Sequence, residues 1–306
     1  MNTATAPSNG RTVAMLGLGI MGAAMARRLA SQGFIVKGWN RSPDKAVGLV
    51  AHGVRLYPTP AQAAEDADVV AVCLTDATAV EAVLFGVAGA VQRLSHRAVI
   101  VDFSTIGVGP ARQIARRLED DHGLGYVDAP VSGGPSAADQ GALAILCGGA
   151  AQHLTRAEPV IAALARVHTH LGPSGSGQAA KLCNQLIVSS AMAAIAEAIS
   201  AGRALGLNVE ALPAALAGGY ADSLPLQIFG PRMAAGRLEP RISEVATMLK
   251  DVRALHVAVE GAGLDLRLAR ATLDLYEDAA RRGLAHQDLA ALTQLSAPAT
   301  ALAAAP

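Results

Sequence analysis

Two stretches of this 306-residue chain combine the residue types that chemistry needs at workable spacing. Asp128-Ala129-Pro130-Val131-Ser132-Gly133-Gly134-Pro135 follows an apolar run and ends in a small, glycine-rich turn. Successive main-chain N–H groups in such a turn form a concavity suited to an anion, and the Ser132 hydroxyl adds a donor. A plain connecting turn has the same composition. The second stretch, Gly175 to Gln185, opens a long apolar segment. Lys181, Asn184 and Gln185 are spaced three and four apart, so on a helix they share one face. An ammonium on a helix that is apolar nearly all round is costly to desolvate unless it has a partner or a task. The chain carries only four lysines (Lys37, Lys45, Lys181 and Lys250) against 21 arginines. Where arginine is so strongly preferred, a retained ε-amine points to proton transfer, because a guanidinium cannot release its proton. The competing reading of Lys181 is a snorkelling helix lysine, and that of Lys250, beside Asp251, is an ion-paired surface lysine.

Near the start of the chain, Gly17-Leu18-Gly19-Ile20-Met21-Gly22 joins the apolar run Val13–Leu16 to Ala23–Ala30, which is rich in helix formers. In a strand–turn–helix unit the first glycine permits a tight turn and the second lets the backbone approach a pyrophosphate. The third lets helix and strand pack closely, and the helix N-terminus supplies unpaired N–H groups. The order of elements therefore points to Gly17 to Gly22 as a dinucleotide cradle, the competing reading being a glycine-rich structural turn. An NAD site usually places Asp or Glu about 20 residues further on, at the end of the second strand. Here that position reads Gly38-Trp39-Asn40-Arg41-Ser42, without a carboxylate. Arg41 suits a ribose 2′-phosphate, with Asn40, Ser42 and Lys45 assisting, so NADP(H) is expected in preference to NAD(H); the competing reading of Arg41 is an ordinary surface cation. Leu74-Thr75 and Phe103-Ser104-Thr105 close two later strands and face the same crevice, as a lining for the nicotinamide ribose or as simple caps for the helices that follow.

These residues need a scaffold, and the rest of the chain describes one. From Phe34 to Gly172 strand-like runs (Phe34–Trp39, Val69–Leu74, Ala98–Phe103, Gly125–Val127, Ala142–Cys147 and Val167–Leu171) alternate with helical stretches. Those stretches are Pro43–His52, Pro60–Glu65, Thr78–Phe85, Gly109–Asp121 and Gln152–Ala165. Such alternation predicts an α/β fold, a doubly wound, mostly parallel sheet with helices on both faces. After Gly172-Pro173 an Ala-rich helical pattern runs from Gly175 to Gly206, followed by helical segments near 209–217, 224–235, 243–262 and 265–282. The second domain is therefore expected to be all-α, built on one long central helix that a second subunit could help to cover. The expected divisions are a flexible leader (1–11), a cofactor domain (12–173), a substrate and dimerisation domain (174–295) and a flexible tail (296–306).

Lys plus Arg and Asp plus Glu each total 25. A zero net charge argues against a nucleic-acid partner, which would want a basic face. No window of about 18 uninterrupted apolar residues appears, so no membrane span is expected, and the first ten residues lack the pattern of a signal peptide. Cys73, Cys147 and Cys183 lack metal spacing and read as buried free thiols in a reducing cytoplasm. No metal site is expected.

In order and spacing, Gly17–Gly22, Asp128–Gly134, Gly175–Asn184 and Lys250-Asp251 resemble the β-hydroxyacid dehydrogenase family over about Val13 to Leu295. The family spans 3-hydroxyisobutyrate dehydrogenases, 2-hydroxy-3-oxopropionate (tartronate semialdehyde) reductases and glyoxylate/succinic semialdehyde reductases. The resemblance implies a Rossmann domain joined by a long helix to an all-α domain, with a homodimer or homotetramer as the assembly. It implies Lys181 as the catalytic lysine and Asn184 as its substrate-orienting partner. Ser132, Gly133 and Gly134 match the carboxylate-binding turn, and Thr105 and Lys250 match cofactor-contacting positions. Gln185 after Asn184 is similar to the tartronate semialdehyde reductases. The implied reaction is hydride transfer between a nicotinamide and the carbonyl carbon of a short carboxylate-bearing semialdehyde, with Lys181 as general acid or base. Imine reduction and a non-catalytic NADP-binding scaffold are the alternatives; both resemble branches that lack the lysine.

Overall fold

Val13, Ala14, Met15 and Leu16 are wholly buried in the computed structural model, which describes residues 10–296. They form β1 (Thr12–Leu16), which leads through the glycine turn into α1 (Ile20–Ser31). The chain continues through β2 (Ile35–Trp39), β3 (Arg55–Leu56), α2 (Pro60–Ala64), β4 (Val69–Val72), α3 (Ala77–Phe85), β5 (Val99–Asp102) and α4 (Val108–His122). Then come β6 (Gly125–Asp128), β7 (Val131–Ser132), α5 (Gly134–Gln140), β8 (Leu143–Gly149), α6 (Ala151–Leu164) and β9 (Ala165–His170). The sheet order is β3-β2-β1-β4-β5-β6-β8-β7, with β9 paired to β8. Pairing is parallel from β3 to β6, and β8 runs antiparallel to β6 and β7.

Because side chains alternate along a strand, each central strand feeds two cores. Val13, Met15, Val69, Ala71, Val99 and Val101 pack on one face with Met25 and Leu29 of α1 and Val160 and Ile161 of α6. Ala14, Leu16, Val70, Val72 and Ile100 pack on the other with Val80 of α3 and Ile114 and Leu118 of α4. Two-sided burial is why these strands read as continuous apolar runs. The doubly wound sheet expected from the sequence is present. Differences are local. Pro43–His52 is a 3-10 helix, in which buried Ala46 and Leu49, three apart, fall on one side. β3, β7 and α5 had no signal, since two-residue strands and a seven-residue helix are too short to show a period.

The chain divides by its internal contacts between Lys181 and Leu182, inside the continuous helix α7 (Ser176–Ala204). The second unit holds the rest of α7 with α8 (Leu212–Ala215), α9 (Leu224–Ala234), α10 (Val245–Gly261), α11 (Arg267–Arg281) and a 3-10 helix at Leu289–Ser296. Met192, Ile195, Ala196 and Ile199 of α7 join Met233, Val245, Leu249, Val252, Tyr276 and Leu292 in one core. By length and composition α7 is apolar enough to cross a membrane, which is also expected of a helix at the centre of a core. Fully buried Asp288 accepts from Ile242 N at 2.6 Å and Ala290 N at 3.0 Å, and lies 3.5 Å from Arg232 Nε, which ties down the segment entering α10.

One expectation is corrected. Cys147 is buried, but Cys73 is only partly so and Cys183 is exposed. Cys183 lies two positions from Lys181, about 200° around the helix, so it faces away from the side on which Lys181 and Gln185 are buried. Residues 1–9 of the expected leader and 297–306 of the expected tail lie outside the described residues.

The turn after β1 shows why its glycines sit where they do. Gly17 has φ +99°, and a Cβ there would lie 2.3 Å from the Cys73 carbonyl oxygen. A Cβ on Gly22 would lie 1.9 Å from the Gly17 oxygen, whereas one on Gly19 would meet nothing within 4 Å. Gly22→Ala is therefore expected to lower stability by about 3 kcal/mol, since the obstruction is backbone. Gly19→Ala should stay within about 0.5 kcal/mol of the parent. Urea unfolding of the two variants checks both.

Candidate active site

Parallel register places Leu16, Trp39, Val72, Asp102 and Asp128 in one row across the sheet. The loops after these residues leave at one edge, the carboxyl edge where doubly wound sheets bind ligands. Topology thus collects Gly17–Gly22, Asn40–Ser42, Leu74-Thr75, Thr105 and Ser132–Gly134.

The first loop fits a dinucleotide. Gly19 is the N-cap of α1, no side chain caps the helix, and its first turn carries no acidic residue, so its N–H groups are open to a phosphate. The space above Gly19 is what a pyrophosphate would fill. Asn40 is tied to the protein itself. Its Oδ1 accepts from Leu18 N at 3.1 Å and its Nδ2 donates to the Ser42 carbonyl at 2.8 Å, so it braces the glycine loop against the end of β2. Arg41, Ser42 and Lys45 are exposed beside it.

Beneath this edge lies a buried polar layer. Asp102, at the end of an otherwise apolar strand, accepts from Ser104 N at 2.9 Å and from the Tyr126 hydroxyl at 3.1 Å. Ser104 Oγ in turn accepts from Leu74 N at 2.9 Å, which fixes the turn at Leu74-Thr75. Gln178 of α7, fully buried, donates to the Ser104 carbonyl at 2.8 Å and accepts from Ile106 N and Gly107 N at 3.0 and 3.1 Å. Asp128 accepts from Gly175 N at 2.7 Å and Gln178 N at 2.9 Å, neutralising the N-terminus of α7 with a charge of the favourable sign. A Cβ on Gly148 would fall 2.6 Å from this carboxylate, so the approach is close. Lys181, 9 % exposed, stands one turn beyond Gln178 and is carried by this docking. Burial lifts the Asp102 carboxyl to about 6 despite its hydrogen bonds, and burial likewise raises Asp128.

The Ser132–Gly134 turn has more structure than its sequence suggests. Ser132 ends β7, Gly133 and Gly134 have φ of +133° and +75°, and α5 begins at Gly134 with no side-chain cap. In the second unit, Asn184 Nδ2 donates to Gln185 Oε1 at 2.9 Å, and Gln185 Nε2 donates to Asp251 Oδ2 at 2.7 Å. Lys250 Nζ lies 3.5 Å from Asp251 Oδ1. The sequence reading missed Asp102 and Gln178. The available signals were a carboxylate closing an apolar strand and an amide on an apolar helix. No cluster of metal-ligating side chains occurs among the described residues.

The chain also resembles known proteins in sequence and fold. Residues 12–172 match the NAD binding domain of 6-phosphogluconate dehydrogenase, and residues 175–296 match the NAD-binding family of NADP-dependent 3-hydroxyisobutyrate dehydrogenase. A probable 3-hydroxyisobutyrate dehydrogenase of Mycobacterium tuberculosis is 34 % identical over 91 % of this chain and 94 % of its own length. An NAD-dependent L-serine dehydrogenase of Pseudomonas aeruginosa is 29 % identical over 94 % of this chain and 98 % of its own. The solved structure of M. tuberculosis 3-hydroxyisobutyrate dehydrogenase with L-serine superposes with a TM-score of 0.84 at 32 % identity, over 94 % of this chain and 99 % of that one. The chain belongs to the β-hydroxyacid dehydrogenase family of NAD(P)-dependent oxidoreductases acting on CH–OH groups.

Asp102 gives a pH prediction. Its folded-state value of about 6 lies above the ordinary 3.8, so between these values the folded protein holds a proton that the unfolded chain has lost. Its contribution to stability therefore falls as pH rises from about 4 to about 6, by roughly 2–3 kcal/mol, and is constant above that. Asp102→Asn keeps an acceptor for Ser104 N and cannot ionise. Urea unfolding at a series of pH values should show wild type losing stability relative to this variant across that window.

Proposed function

We propose that this chain is an NADP(H)-preferring oxidoreductase that interconverts a short 3-hydroxy acid and its semialdehyde, with Lys181 as general acid and base. The observation that carries the reading is the docking of Lys181. The helix bearing it is held by Asp128 and Gln178 to the carboxyl edge of the sheet, and Asn184 follows one turn later on the same helical face. Gly17–Gly22 would hold the pyrophosphate. Arg41 and Ser42 would meet a 2′-phosphate, and Leu74, Thr75, Thr105 and Lys250 would line the remainder of the cofactor. Bound there, the nicotinamide supplies the hydride for carbonyl reduction and takes it up in oxidation.

The remaining steps belong to side chains of this protein. Lys181 Nζ gives its proton to the developing alkoxide in reduction and accepts the hydroxyl proton in oxidation. Asn184 orients the reacting oxygen. The Ser132–Gly134 turn grips the substrate carboxylate through open N–H groups and a hydroxyl, which sets the carbonyl at reacting distance. A 2-hydroxy-3-oxopropionate reductase-like activity is favoured by Gln185 following Asn184. The relatives named for 3-hydroxyisobutyrate and for L-serine put those two 3-hydroxy acids beside it as candidates.

Initial rates with NADPH and NADH test the reading. The panel comprises tartronate, methylmalonate and succinic semialdehydes and glyoxylate, with 3-hydroxyisobutyrate, L-serine and glycerate in the oxidative direction. Lys181→Ala should lower kcat about 10²–10⁴-fold on the best substrate. An unchanged rate would remove Lys181 from the chemistry. Arg41→Ala should raise KM for NADPH about 10–100-fold and leave KM for NADH unchanged, the size expected for hydrogen bonds to a charged group. A wild type that prefers NADH would overturn the 2′-phosphate assignment, as the NAD-dependent Pseudomonas relative makes a fair test.

A further inference from the structure

The carboxamide of Asn184 has two chemically opposite ends, and the second unit contains a device that selects between them. We propose that Asp251 and Gln185 form a one-way hydrogen-bond relay that locks Asn184 with its Nδ2 inward and its Oδ1 presented as an acceptor. Both are then positioning residues of the reaction, and this deepens the role given to Asn184 above.

The argument starts from the one member that cannot donate. Asp251, 5 % exposed, is a carboxylate beside the Lys250 ammonium, and it accepts from Gln185 Nε2 at 2.7 Å. That contact commits the only donor end of the Gln185 amide, so Oε1 is the end that faces Asn184. It accepts from Asn184 Nδ2 at 2.9 Å. Turning Asn184 over would set its Oδ1 against Gln185 Oε1, two acceptors in a site where Gln185 is only 7 % exposed. Turning Gln185 as well would set its oxygen against the carboxylate. Buried mismatches of this kind are strongly disfavoured. Both amide orientations therefore follow from a single acceptor-only group on α10, 66 residues away in sequence from Gln185. Met248, one turn earlier on α10, places Sδ 3.6 Å from the same Nε2 and packs the amide from the side.

The orientation has a chemical consequence. An outward Oδ1 suits a partner that carries a proton, such as the hydroxyl of a hydroxy acid or the ammonium at Lys181 on the same helical face. A flipped amide would offer an N–H instead and compete with the lysine for the substrate oxygen.

Asp251→Asn tests the relay because the new amide can donate, which permits the flipped arrangement at little change in shape. Gln185→Met removes both links and keeps the volume. Each is expected to lower kcat about 10–100-fold, the scale of a misaligned reacting group, with the KM for cofactor unchanged. The distinguishing readout is sign-reversing coupling. Asn184→Asp introduces a carboxylate that accepts on both faces, so it should harm the parent but restore part of kcat in the Asp251→Asn background. Equal losses in both backgrounds would overturn the proposal. A second arm needs no turnover. In the full-length protein labelled with 15N at Asn and Gln, the Gln185 side-chain amide resonance, identified by its loss in Gln185→Met, should sit downfield and exchange slowly. It should lose both properties in Asp251→Asn. An unchanged resonance would refute the relay even if the enzyme is active. A wild type inactive on the whole substrate panel would refute the functional reading and leave the relay to be decided by this spectrum.

Discussion

The contact on which the carboxyl edge of the sheet in the first unit depends is the grip of Asp128 on the N-terminus of α7. Two main-chain N–H groups, of Gly175 and Gln178, point at one carboxylate that closes strand β6. Without that partner the helix would begin with unpaired donors in a buried place, which is costly. With it, the positive end of the helix dipole, the sheet edge and the buried Gln178 amide form a single rigid joint.

A second joint of the same kind ties the sheet edge to itself. The path from Tyr126 through Asp102 and Ser104 to Leu74, with Gln178 bridging Ser104 to Ile106 and Gly107, satisfies the turn amides at the ends of β4 and β5 from below. Turns pinned from beneath can present their upper faces to a ligand without rearranging, which is how a site avoids ordering its own loops on binding. Asn40 does the equivalent for the glycine loop through Leu18 and Ser42. Support from below is the same design at three neighbouring loops.

The second unit repeats the logic with buried carboxylates of its own. Asp251 orders two consecutive amides by being unable to donate, and Asp288 orders the segment that delivers α10 by accepting from Ile242 and Ala290. In each case a buried carboxylate reaches a group distant in sequence, Gln185 for Asp251 and Ile242 for Asp288, and the effect is geometric.

Much of this was legible in the residues themselves. The glycine turn, the alternation of apolar runs with helical stretches and the long helix after Gly172-Pro173 are local signals, set by backbone sterics and by burial periods of two and 3.6 residues. The placement of Lys181, Asn184 and Gln185 on one face follows from spacing alone. What tertiary structure decided is which partner each polar group meets. That Asn40 braces the glycine loop shows only once Leu18 N is found on its oxygen. Asp102 and Gln178 read as ordinary until the row of strand ends brings them under the site, and Cys183 reads as buried until its helix face is known. Local sequence determines backbone conformation because its forces act over a few bonds. Hydrogen-bond partners tens of residues apart are chosen only when the sheet register and helix packing bring them within 3 Å.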